Sequence, residues 1–146
     1  MAAEVGLAAS IAGLLSLGLQ ITGGIAIYLD ALESRRDELE SLKRQNDALA
    51  AALDTINAAT SHPSFQGHQH DSAIEKNTQC CKAELQAVEE LLAALADCNA
   101  ATWRQRLKNE KRKLTYAFNR PKVQRIVQRL QNANGILQLT LSGLGL

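Results

Sequence analysis

The sequence has few aromatic residues and few residues that interrupt a helix. Phe, Trp and Tyr together make up 3% of the 146 residues, and the only two prolines are Pro63 and Pro121. No run of β-branched and aromatic residues alternates as a strand does, and the apolar residues are chiefly Ala, Leu and Ile, a mixture that favours helix. These absences exclude a β-rich fold and predict one all-α domain with a substantial core.

Cysteines and catalytic motifs are also scarce. Three cysteines, two of them adjacent at Cys80 and Cys81, make a poor disulfide framework, so we expect a reducing compartment. Cys81 falls on a predicted apolar stripe, and both adjacent thiols are interpreted as core or flanking residues. The sequence contains no Gly-rich phosphate loop, no GxSxG and no HExxH motif. We therefore predict that the chain is not an enzyme and that it needs no cofactor.

All three histidines, His62, His68 and His70, fall in one polar segment at residues 60–71. Together with Cys80 and Cys81 they have the ligand types of a zinc site. Their spacing matches no zinc-finger or zinc-ribbon motif, however. We interpret the segment as a polar loop and predict no metal.

Charge is missing from most of the first thirty residues. Residues 5–29 carry none, and this stretch exceeds the ~20 residues that span a bilayer core. Ala2, Gly6 and Ser10 follow one another at steps of four, the small-xxx-small pattern that lets helices pack closely. Five glycines and several polar residues dilute the stretch, so it also suits the buried central helix of a soluble bundle. With no basic residue ahead of it, we do not expect a cleaved signal peptide.

Apolar periodicity predicts helices at about residues 3–32, 36–59, 72–99, 101–115 and 121–142. We place the first break near residues 33–36, where Ser34 precedes acidic residues as a capping residue does, rather than at the competing Gly23–Gly24 pair. Ser72 and Glu75 form a capping box, and Pro121 suits a first helical turn. The four long helices are expected to form an antiparallel up-and-down bundle, with the basic helix at 101–115 as an accessory.

The inward-facing residues repeat at steps of three, four and seven. In the second and third helices they are Leu39, Leu42, Leu49, Leu53 and Ile56, then Ile74, Cys81, Leu85, Val88, Leu92 and Leu95. In the last two they are Trp103, Leu107 and Leu114, then Val123, Ile126, Val127, Leu130, Leu137 and Leu141. Asn46 and Asn134 are polar gaps in these stripes. Such stripes are typical of helices that face a common core.

Positive charge is concentrated near the C-terminus. Residues 101–146 hold ten Lys or Arg and one acid, whereas residues 1–100 hold six Lys or Arg and fourteen acids. These cations either pair with acids such as Glu89, Glu90 and Asp97 or bind an anionic partner. Few aromatic residues are available to stack on bases, so lipid headgroups are favoured over nucleic acid. The predicted lipid contacts are Arg104, Arg106, Lys108, Lys111, Arg112 and Lys113, with Arg120, Lys122, Arg125 and Arg129 in the same basic region.

Several stretches resemble the N-terminal domain of fungal STAND (NLR-like) proteins, the HeLo-like group. They are the opening through Leu32, LESLKRQNDALAAALDTI at residues 39–56, KLTYAFNR at 113–120, and the spacing of Leu130, Asn134 and Leu137. The resemblance covers essentially the whole chain. It implies a cytoplasmic helical-bundle module for cell death or signalling, in a longer protein with a nucleotide-binding oligomerisation domain.

The resemblance also implies a mechanism, in which oligomerisation releases the first helix into the plasma membrane. The membrane-targeting segment would be Glu4–Leu29. Its insertion and close-packing residues would be Glu4, Gly6, Gly13, Leu14, Leu15, Gly18, Ile21 and Ile25, with Glu4 lining a pore. The partners would be membrane lipids, further copies of the chain and the nucleotide-binding domain, but not nucleic acid. The alternative is an interaction or regulatory module that does not permeabilise membranes.

Overall fold

The computed structural model describes residues 2–61, 72–96, 98–99, 101–109 and 118–145. These residues form five α-helices and no strand, which confirms the all-α prediction. The helices are α1 (Ala2–Ala31), α2 (Glu40–Thr60), α3 (Ser72–Leu95), α4 (Trp103–Asn109) and α5 (Arg120–Gly143). A 3-10 turn at Glu33–Arg35 lies between α1 and α2.

The first break falls where the sequence indicated, but Ser34 does not cap the next helix. α1 runs unbroken through Gly23–Gly24, and α2 begins only at Glu40, with no side-chain cap. The chain turns here because Leu32 and Leu39 are both buried and anchor the two ends of the turn. The burial of Leu39 sets the start of α2, and a local capping motif carries no information about that burial.

The later helix ends follow local signals more closely. Asn119 caps α5, its Oδ1 accepting a hydrogen bond from the Lys122 N–H at 3.1 Å, and Pro121 lies in the first turn as predicted. α3 ends at Leu95, earlier than the predicted residue 99. α4 is described to Asn109, and the rest of the predicted basic helix, residues 110–115, lies outside the described residues.

The predicted apolar stripes form the core. Their residues are buried, except that Val127 is half-buried and Leu114 lies outside the described residues. The buried members are Leu39, Leu42, Leu49, Leu53, Ile56, Ile74, Cys81, Leu85, Val88, Leu92, Leu95, Trp103, Leu107, Val123, Ile126, Leu130, Leu137 and Leu141. The 3.6-residue period thus identified the inward faces of all the helices after α1.

α1 and α5 each pack against both α2 and α3. α1 is antiparallel to α2, because Gly18 faces Leu53 whereas the later Thr22 accepts a hydrogen bond from the earlier Asn46. α3 and α5 are antiparallel for the same kind of reason. The start of α3 contacts the end of α5, and the next turns of α3 pair with earlier turns of α5.

The expected packing, antiparallel at every interface, is not what these pairs show. Glu38 and Gln45 contact Arg120 and Asn134 respectively, so α2 and α5 run parallel. It follows from the other pairings that α1 and α3 are parallel too. The directions of the four long helices alternate along the chain, but α2 and α3 are not one of the closely packed pairs. A short connection makes consecutive helices neighbours, as for α1 and α2, whereas side-chain pairing selects the remaining neighbours.

Candidate functional site

The buried face of α1 carries most of its large apolar residues. Ile21 and Ile25 have no exposed surface, and Leu14 has 1%. Gly18 is buried, whereas Gly13 and Leu15 are half-buried. Of the predicted insertion residues, Leu14, Gly18, Ile21 and Ile25 are therefore buried in this structure, between α1 and its neighbours.

The outer face of α1 is the unusual one. Its exposed residues are Ala9, Ala12, Ser16, Leu19, Gly23, Ala26 and Asp30. None is charged before Asp30, and Leu19 is 64% exposed. Solvent therefore meets a face of small and apolar residues along about five turns of the helix.

In the described part of the chain, one segment has the length and composition to cross a membrane. It is Ala9–Ala31, 23 residues long, within which an 18-residue window has a mean hydropathy of 1.6 and is 39% buried. Length and composition alone do not separate a membrane span from the buried core helix of a soluble protein. Glu4 and Gly6 precede this segment within α1, and their side-chain surroundings lie outside the described residues.

Two glycines of α1 allow close approach by a neighbour. A Cβ at Gly18 would overlap the Leu53 side chain, so α2 packs directly on the α1 backbone there. A Cβ at Gly13 would lie 3.1 Å from the Lys82 Nζ, the mobile end of a long side chain, and that contact is easily relieved. α2 therefore packs closely on α1 at Gly18, whereas Gly13 offers only a minor contact.

Sequence reasoning missed a third close-packing position, Gly24. A Cβ on Gly24 would overlap the indole ring of Trp103, whereas a Cβ on the adjacent Gly23 would meet nothing within 4 Å. Trp103 is 1% exposed, so the largest side chain of the protein is seated on a bare turn of α1. The sequence signal was a lone tryptophan and a glycine pair within an unbroken apolar helix.

Polar groups are buried where α1 meets α2. Asn46 Nδ2 donates to the Thr22 carbonyl at 3.2 Å, but Asn46 Oδ1 has no partner among the described residues. The Tyr28 hydroxyl, also on α1, is likewise buried and unpaired in that part of the chain. Burial raises the pKa of Tyr28 to about 12, against a smaller opposing effect of Arg35. Within the described residues, the docked position of α1 thus leaves polar groups without hydrogen bonds, which lowers its stability.

α4 buries its apolar residues and exposes two of its basic residues. Trp103 and Leu107 are buried, while Arg104 and Lys108 are exposed and form no ion pair with the residues described. Arg106 is half-buried and has an interaction partner. The other predicted lipid contacts, Lys111, Arg112 and Lys113, lie outside the described residues.

Two cations of α5 are used within the bundle. Arg120 pairs with Glu38 at 2.7 Å, and Arg129 pairs with Glu84 at 3.2 Å. These acids differ from the partners suggested by the sequence, which were Glu89, Glu90 and Asp97. The Arg120 guanidinium holds the pKa of the Glu38 carboxyl below its usual value. The free cations in the described part of the basic region thus include Arg104 and Lys108 on α4.

The cysteines are arranged as expected for structural residues. Cys81 is buried against the Ala133 carbonyl at 3.7 Å, and Cys80 beside it is exposed. Burial raises the pKa of the Cys81 thiol to about 12, which disfavours the reactive thiolate. His62, His68 and His70 lie outside the described residues, and no group of three potential metal ligands occurs within them.

The arrangement as a whole is a candidate membrane-insertion helix, α1, held by α2, α3 and the amphipathic α4. Comparison of the chain with models of protein families, with curated protein sequences and with solved structures gave no match.

Proposed function

We propose that this chain is the cell-death or signalling domain of a fungal NLR-like receptor and has a HeLo-like four-helix bundle fold. In this proposal the protein is cytoplasmic, and a nucleotide-binding domain in the same chain brings several copies together. Clustering releases α1, which inserts into the plasma membrane. The proposal assigns no catalytic role to the chain.

One observation carries the proposal, the uncharged outer face of α1 between Ala9 and Ala26. A helix on the surface of a soluble bundle ordinarily has charged residues toward solvent. If α1 leaves the bundle, its inner face of Leu and Ile suits lipid, and the outer face introduces no charge to desolvate. The first charge after this face is Asp30, at the end of the span, where the headgroup region would accept it.

The unpaired polar groups support a helix with two stable positions. Tyr28 has no hydrogen bond in the described bundle, but it lies near the end of the apolar stretch, a depth at which tyrosine is favoured in membranes. Burial in the bundle and insertion in lipid both cover the apolar side chains of α1. A moderate bias from clustering would therefore shift the population between the two positions.

Dye release from vesicles tests the proposal. The variant Leu19→Asp adds a charge near the middle of the candidate span, and Leu139→Asp is its matched control because both leucines are 64% exposed in the bundle. The added charge costs roughly 3 kcal/mol in a membrane centre, which corresponds to about a hundredfold loss of insertion. We expect forced oligomers of the wild type and of Leu139→Asp to release dye and those of Leu19→Asp to fail.

Absence of dye release from wild-type oligomers would contradict the insertion mechanism. Equal release by Leu19→Asp and Leu139→Asp would contradict the assignment of α1 as the inserted helix. Vesicles of phosphatidylcholine with and without phosphatidylserine show whether the cations of α4 contribute, since each is worth about 1 kcal/mol at an anionic surface.

A second function, a bundle that binds partners without permeabilising membranes, is favoured by the complete burial of Ile21, Ile25 and Tyr28. A helix held so fully would stay in the bundle and act as a scaffold. A protease-resistant monomer that ignores anionic vesicles, before and after forced clustering, is the result expected from this second function.

A further inference from the structure

α4 joins an apolar anchor and a basic surface within seven residues. Trp103 and Leu107 are one turn apart and 1% exposed, while Arg104 and Lys108, also one turn apart, face solvent. Helices of this length are not stable alone in water. The position of α4 therefore depends on the seating of its two apolar side chains.

The seat of Trp103 is the bare backbone of α1 at Gly24. A Cβ at this position would overlap the Cζ3 and Cη2 carbons of the indole, so the ring edge lies directly on α1. α4 packs against both α1 and α3, and Asn99 holds its approach by accepting hydrogen bonds from the N–H groups of Ala101 and Thr102. α1 is thus contacted by α4 at Gly24, in addition to its contacts with α2 and α3.

We propose that α4 is a clasp, which holds α1 in the bundle through Trp103 and Gly24 and is withdrawn when Arg104 and Lys108 bind an anionic lipid surface. This proposal rests on the proposed function of α1. The same helix carries the anchor and the cations, so binding at its outer face bears directly on the Trp103 seat. Tryptophan is favoured at the membrane–water interface, which gives the indole an alternative site once it leaves Gly24.

Hydrogen exchange without vesicles tests the holding contact. Gly24→Ala fills the seat of Trp103, and Gly23→Ala is a matched control one residue away, with open space around its new methyl group. We expect amide exchange across residues 14–31 to be about tenfold faster in Gly24→Ala, as for an overpacked contact, while the interface of α3 and α5 keeps its protection. Exchange in Gly23→Ala should match the wild type or be slower, because alanine favours the helix more than glycine does.

Vesicles test the release. Phosphatidylserine-containing vesicles should accelerate exchange of α1 in the wild type but not in Arg104→Glu/Lys108→Glu. The control Lys43→Glu/Arg44→Glu makes the same change in charge at exposed residues of α2 and should respond as the wild type does. In the absence of vesicles, α1 of both double variants should exchange at the wild-type rate.

Three results would overturn the clasp. The first is an equal rate of α1 amide exchange in Gly24→Ala and Gly23→Ala. The second is a uniform increase in amide exchange over all helices of Gly24→Ala. The third is an equal effect of vesicles on α1 exchange in the two double variants. Dye release distinguishes failure of the proposed function from failure of the contact between Trp103 and Gly24. If Gly24→Ala loosens α1 locally but neither it nor the wild type releases dye when clustered, the holding contact stands and membrane insertion is wrong.

Discussion

α1 and α2 pack against each other and bury stripes of similar composition, yet their outer faces differ completely. α2 presents charged side chains to solvent, namely Glu40, Lys43, Arg44, Asp47 and Asp54, whereas the described outer face of α1 has none before Asp30. The inner faces explain why both helices belong to a bundle. Under the proposed function, the charged outer face restricts α2 to water, whereas the uncharged outer face of α1 also suits lipid.

The shared interface is also unequal. α1 contributes a bare backbone at Gly18, and α2 contributes the Leu53 side chain that covers it. At this turn the side chain in the contact comes from α2, and α1 contributes only its backbone. Variants of α1 and α2 test this difference between the two helices, from the largest expected change in stability to the smallest.

The contact between Gly18 and Leu53 should show strong coupling. Leu53→Ala removes a fully buried side chain and should cost about 2–5 kcal/mol of the free energy of unfolding. Gly18→Ala alone should cost about 1–3 kcal/mol because its methyl group overlaps Leu53. In the Leu53→Ala background the same Gly18→Ala change should be neutral or stabilising, since the overlap is gone. Urea unfolding of the four proteins measures the coupling, and simple additivity would contradict the contact.

Alkaline pH should destabilise the bundle through Tyr28 of α1. Its pKa is raised from 10.0 to about 12 in the folded state, so its contribution is complete below pH 10 and is lost as pH rises through 12. A shift of this size corresponds to a loss of about 3 kcal/mol. Thermal unfolding from pH 8 to 12 should show a shallower decline in Tyr28→Phe than in the wild type. Cys81, whose pKa is raised from 9.0 to about 12, contributes a further decline to both proteins.

Replacing Asn46 of α2 should stabilise the docked position of α1. Asn46→Leu removes a buried amide whose Oδ1 has no described partner, and the Thr22 carbonyl that it contacts lies within the continuous helix α1. We expect a gain of about 1 kcal/mol in the free energy of unfolding and slower dye release. Asn134→Leu is the contrasting control: its Oδ1 also has no partner among the described residues, but its Nδ2 donates to both the Gln45 carbonyl and Oε1, so its loss should destabilise. Destabilisation by Asn46→Leu would show that its single bond outweighs the unpaired atom.

The smallest change is expected for Leu19→Asp, which gives α1 an outer charge like those of α2. Because Leu19 is exposed and away from the core, the free energy of unfolding should stay within about 0.5 kcal/mol of that of Leu139→Asp. Urea unfolding of the soluble monomers measures the difference. A much larger loss in Leu19→Asp would mean that another part of the chain covers the outer face of α1.

How much was predictable from sequence differs between the fold and the candidate site. The stripe from Leu39 to Ile56 was identified by its period, because each helix must bury one side whatever packs against it. The predicted capping role of Ser34 is wrong, because the start of α2 depends on the burial of Leu39 rather than on a local cap. In the sequence, the Gly23–Gly24 pair indicates only a competing helix break. The close contact at Gly24 could not be predicted because it is made with Trp103, which is distant in sequence.

The sequence alone determined that the chain is helical, which sides of its later helices face inward, and that residues 5–29 are free of charge. Each of these properties follows from local composition and from the period of the helix. The tertiary structure decided that α2 and α5 run parallel, that Arg120 and Arg129 are paired, and that Gly18 and Gly24, but not Gly23, are covered. These features depend on which helix surfaces pack against each other, and those contacts join residues that are far apart in the chain.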